Sequence, residues 1–61
     1  MRITIDSFVV YNVFDEYHNN IVKNIPTRKE ANEFVDIMDD HGYDTSLWTV
    51  EPEVQHTTTI D

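Results

Sequence analysis

Asp36, Asp39, Asp40 and His41 form the densest run of ligating side chains in the chain. Hard divalent cations require several oxygen ligands converging on one point. Asp36 and Asp40 are four residues apart and would share a helix face. No segment, however, has the spacing and glycine of a calcium loop. His18, His41 and His56 lack zinc-motif spacing, and a lone histidine at a helix end is more often a packed or capping residue. No metal and no cofactor is therefore expected. Nucleophilic catalysis is equally thinly supported. There is no cysteine, and Ser7 and Ser46 fall in strand-like segments far in sequence from any histidine. Ser-His-Asp sets can assemble through a fold, but so small a single-layer domain rarely encloses a water-excluding pocket of ~300 Å³. The expectation is no catalytic residue and no enzyme; a metal-dependent or small-ligand enzyme stands only as a distant third reading.

The acids suggest a different chemistry. Twelve Asp and Glu against four Lys and Arg give the 61-residue chain a net charge of −8. A phosphate backbone requires a basic patch, and none is visible, so direct nucleic-acid binding is not expected. An anionic membrane surface is excluded by the same argument. No apolar stretch is long enough to span a bilayer, and Met-Arg-Ile-Thr-Ile-Asp is no signal region, so a cytoplasmic location is the default. The acidity suits solubility, and it also suits a basic protein partner.

The elements that position these acids are legible. Met1 to Tyr17 is rich in strand formers. Ile3 and Ile5 share one parity while Phe8, Val10 and Phe14 share the other, which places a bulge near Asp6-Ser7. Val9, Tyr11 and Val13 would then form a second, uncovered apolar face. Asn19-Asn20 is suited to a two-residue turn before a second strand, Ile21 to Ile25. Thr27 and Glu30 form a capping box. Ala31, Phe34, Val35, Met38 and His41 recur at helical spacing, and Gly42 sits at the expected left-handed cap, with Tyr43 folding back. Thr45 to Val50 reads as a third strand stopped by Pro52. The predicted fold is α+β: one ββαβ domain over residues 1–52, a three-stranded antiparallel sheet in order 2-1-3 with one helix on one face, and a flexible tail over 53–61.

Within this frame Glu33, Asp36 and Asp40 fall on the helix face opposite Ala31, Phe34 and Met38, with Asp39 on the flank and Asp44 after the cap. The charges of the helix run against its dipole. Arg28 and Lys29 stand in the first turn and the aspartates near the end, an order that forfeits roughly 0.3–1 kcal/mol per charge. A small domain has little stability to forgo, and a broken local rule points to function. The face is either solvated surface or a docking surface that imitates phosphates. Leu47 and Trp48 cannot both point into one covered face of a strand. An outward Trp48, with Val9, Tyr11 and Val13, would serve a partner or a homodimer.

The stretch Tyr11 to Val50 resembles small ββαβ accessory proteins of bacteriophages. The residues concerned are Phe14-Asp15-Glu16-Tyr17-His18-Asn19-Asn20, Ile25-Pro26-Thr27-Arg28-Lys29-Glu30-Ala31, His41-Gly42-Tyr43 and Leu47-Trp48-Thr49-Val50. The resemblance implies an accessory role in the infected cell, including inhibition of a host enzyme or defence nuclease. It implies no site residues. Two functional expectations follow. The first is an acidic inhibitor of a basic or nucleic-acid-handling host protein, acting through Glu33, Asp36, Asp39, Asp40 and Asp44. The alternative is a structural or assembly module that homodimerises through Val9, Tyr11, Val13 or Trp48.

Overall fold

The computed structural model describes all 61 residues. Four elements follow in order: β1 (Ile3–Phe14), β2 (Asn20–Ile25), α1 (Arg28–Asp40) and β3 (Thr49–Ile60). The sheet has the order β2-β1-β3 with both pairings antiparallel. This is the expected small α+β domain.

Local chemistry accounts for the helix ends. Thr27 has extended backbone, and its hydroxyl oxygen accepts the Glu30 N–H at 3.2 Å. Only this half of the capping box is made. At the other end Gly42 takes φ +97°, its N–H donates to the Asp39 carbonyl, and the Tyr43 N–H donates to the Met38 carbonyl. These two bonds define a Schellman closure. His41 is exposed rather than part of the buried stripe, and its Nδ1–H donates to the Ile37 carbonyl at 3.0 Å.

Several strand expectations need correction. β3 begins at Thr49, so Thr45 to Trp48 lies outside the strand, with a turn at Ser46-Leu47. Residues 53–61 are not a tail: β3 runs on to Ile60, in unbroken register with β1 from Phe14↔Thr49 to Ile3↔Ile60. Pro52 lies within β3, opposite Tyr11, which is tolerated because β3 is an edge strand. The register also removes the bulge expected at Asp6-Ser7. The irregularities are in β2 instead: two steps from Asn20 to Val22 face one from Phe14 to Val13, and three from Val22 to Ile25 face two from Val13 to Tyr11. Asn24 takes φ 64° there, and its N–H is held by Asn12 Oδ1. The turn after β1 is likewise longer than two residues, and His18, not Asn19 or Asn20, takes the positive φ. The His18 ring stacks on Phe14 at 4.5 Å.

Unbroken alternation puts Ile3, Ile5, Ser7, Val9, Tyr11 and Val13 on one face of β1. The helix covers this face: Arg28 stacks over the Tyr11 ring, and Val13 and Ala31 are fully buried. Val13 therefore cannot be an exposed contact residue, and Tyr11 is half-buried beneath Arg28. On the opposite face Val10 is buried beside a polar network of Asn12, Asn24, Glu53 and Gln55.

β2 and α1 cover only the last third of the β1–β3 pair. The rest projects as a two-stranded ribbon, closed at its tip by reciprocal backbone hydrogen bonds between Arg2 and Asp61. The molecule measures 53 × 20 × 12 Å. Its radius of gyration is 15.1 Å, against about 10.5 Å for a compact chain of this length.

Candidate functional site

The end of the body opposite the ribbon tip gathers side chains from three parts of the sequence. The β1–β2 turn brings Asp15 and Glu16, the helix end brings Met38, and the following turn brings Tyr43, Asp44 and Trp48. With Ile21 they line an open depression of about 470 Å³. Tyr43 and Trp48 stand 6.3 Å apart at a tilt of 49°. Four of the lining residues are apolar or aromatic and three are carboxylates.

Two of those carboxylates are held in place. Asp15 Oδ1 accepts the backbone N–H groups of Asn19 at 2.8 Å and Tyr17 at 2.9 Å, and Oδ2 accepts from the Asn19 amide. The Asn19 N–H, above all, keeps the Asp15 carboxyl below the usual carboxylate range. Asp44 Oδ1 accepts the Ser46 hydroxyl at 2.8 Å and its N–H at 3.1 Å. The hydroxyl bond is the main reason its carboxyl is likewise lowered. In both acids these hydrogen bonds favour the ionised form.

No family model, no curated protein and no solved structure matches this chain.

Of the acids read from the sequence, only Asp44 belongs to this depression. Glu33, Asp36, Asp39 and Asp40 are exposed on the helix, and the last turn contains no base. No lysine or arginine pairs with any of them; the one histidine–carboxylate contact in the molecule, His18 with Glu51 at 3.7 Å, lies elsewhere. Ile37, 55% exposed, interrupts the same surface. Trp48 is half-buried and lines the depression rather than the outside of a sheet, while Leu47 points to solvent. Val9 is exposed but lies on the ribbon, remote in register from Trp48. The sheet-face set of Val9, Tyr11, Val13 and Trp48 thus does not form one surface.

The fold assembles one Ser–His pair that sequence separation concealed. Ser7 Oγ and His56 Nδ1 lie 2.8 Å apart across the ribbon. No acid hydrogen-bonds to His56, and no cavity adjoins the pair. It has neither the orienting group nor the enclosed site that nucleophilic catalysis uses, and it serves as a cross-strand link. No three metal-ligating side chains converge, and no helix is long and apolar enough to cross a membrane.

Proposed function

We propose that this chain is a non-enzymatic acidic interaction protein, and that the depression between Tyr43 and Trp48 accepts a lysine or arginine side chain of a basic protein partner. The observation that carries this reading is the pairing of an aromatic couple with Asp15, Glu16 and Asp44. Aromatic faces attract cations, by ~0.5–1 kcal/mol where exposed and ~2 where desolvated, and carboxylates already fixed by hydrogen bonds require little reordering on binding. The unpaired acids along α1 extend the negative surface and would speed encounter with a basic surface. A phosphate-imitating inhibitor of a host nucleic-acid-handling or defence protein is the role that best combines this surface with the resemblance to phage accessory proteins.

The test is affinity capture from bacterial lysate at low and high salt, using the parent chain, Trp48→Ala and the Asp39→Lys/Asp40→Lys pair. The reading expects one basic partner, released by salt, lost with Trp48→Ala and slowed in association by the helix pair. A partner retained equally by all three proteins would refute it.

A further inference from the structure

We infer that the apolar face of the ribbon is an interface with a second copy of this chain. Ile3, Ile5 and Val9 of β1 share that face with Val54 and Ile60 of β3, and all five are between 44% and 65% exposed. The opposite face, apart from Phe8, is polar, with Thr4, Asp6, Gln55, Thr57 and Thr59. A two-stranded ribbon without a covering layer is marginal in water, and this one continues the face that α1 covers over Tyr11 and Val13. Whatever packs there prolongs an existing layer.

The distribution of charge favours a second copy as the occupant. Residues 1–9 and 54–61 hold one base, Arg2, and two acids, Asp6 and Asp61, for a net −1, so the remaining residues hold −7 of the total −8. Asp6 lies on the polar face. The ribbon is therefore where two identical acidic molecules meet with least repulsion. A two-fold axis near Ser7 and His56 would pack ribbon on ribbon and send the acidic bodies to opposite ends. The overlap of about seven residues, ~24 Å long, separates the bodies by more than the ~8 Å screening length at physiological salt. Ile3, Ile5, Val9, Val54 and Ile60 of each copy would supply the apolar contacts. The proposed partner pocket stays free at the far ends, so this inference and that function can fail separately.

Sedimentation equilibrium of the full chain, from about 10 μM to about 1 mM, should show reversible association toward twice the 7.2 kDa monomer mass. Ile5→Lys should abolish it, and Thr57→Lys, on the polar face, should leave it intact. Since the chain has no cysteine, Ser7→Cys gives a clean probe. A short bis-maleimide should link Ser7→Cys copies and leave Asp6→Cys copies unlinked. A parent chain that stays monomeric throughout, or a dimer that survives Ile5→Lys, overturns the inference.

Discussion

The Arg28 guanidinium lies over the Tyr11 ring, 5.1 Å from its centroid. This contact explains part of the reversed charge order of α1: one of the two bases at the N-terminus clamps the helix to the central strand. A cation–π contact at such a site contributes ~0.5–1 kcal/mol, comparable to the loss from placing a base against the dipole. Lys29 has no such contact. Arg28→Ala should therefore lower the thermal midpoint relative to Lys29→Ala, which should leave it unchanged or raise it. Equal effects would deny the clamp.

Asp39 and Asp40 have no compensating contact in the helix's last turn. Replacing both by lysine moves the net charge from −8 by two units per site and complements the dipole by ~0.3–1 kcal/mol each at best. Thermal melting should show a raised midpoint. A lowered one would mean that these aspartates make native contacts.

Val13 is 0% exposed at the junction of all three strands. Val13→Ala removes buried methyl groups and should cost about 1.5–3 kcal/mol, read by chemical denaturation. Phe34 occupies the middle of the helix stripe but is only half-buried, so Phe34→Ala should cost less than the ~3–5 kcal/mol of a fully buried ring. Val13→Ala melting within a degree of the parent would show that this core is misplaced.

Deleting residues 55–61 removes the β3 partner of Ile3 to Phe8. The ribbon should melt, with loss of strand signal in the far-UV spectrum and of self-association, while α1, β2 and the paired ends of β1 and β3 keep a cooperative transition. The body retains Val10, Val13 and Ala31, all the buried side chains of the molecule. A non-cooperative product would show that ribbon and body fold as one unit.

Acid should loosen the turn that shapes the depression. The Asp15 carboxyl is lowered chiefly by the Asn19 N–H. A group with a depressed folded pKa adds stability above its unfolded value, about 3.9 for Asp, and that contribution is lost as pH falls through the lower folded value. The parent midpoint should decline as pH falls below about 4. Asp15→Asn, which keeps an acceptor oxygen without the charge, should be less stable at neutral pH and show a shallower acid decline. Parallel profiles would remove Asp15 from the account.

Much of the architecture is legible because its signals are local. Thr27, the Ala31 and Phe34 stripe and Gly42 mark the helix within one stretch, and the apolar density of β1 marks the central strand. β3 is harder to read. Thr57-Thr58-Thr59 and Pro52 suggest a loop by hydropathy, although threonine is a strong strand former and Pro52 needs only an edge. Recognising the strand requires its partner, Ile3 to Phe8, whose own parity is obscured by Phe8 and Val10. The depression is less legible still. Asp44 and Trp48 stand out in the sequence, but Asp15, Glu16, Ile21, Met38 and Tyr43 join them only through the sheet register and the Schellman turn. The Ser7–His56 pair, 49 residues apart, likewise depends on register alone.

Entry of a basic side chain into the depression can be followed by titrating the ¹⁵N-labelled chain with tri-arginine and tri-lysine peptides and recording backbone and indole resonances. Saturable shifts should centre on the Trp48 indole N–H and the amides of Tyr43, Asp44 and Glu16. They should weaken with salt and be lost in Trp48→Ala. Asp44→Asn, which keeps an acceptor oxygen for Ser46 without the charge, should reduce them. Shifts spread along Glu33 to Asp40 with Trp48 unmoved, or no saturable shift at all, would contradict such entry.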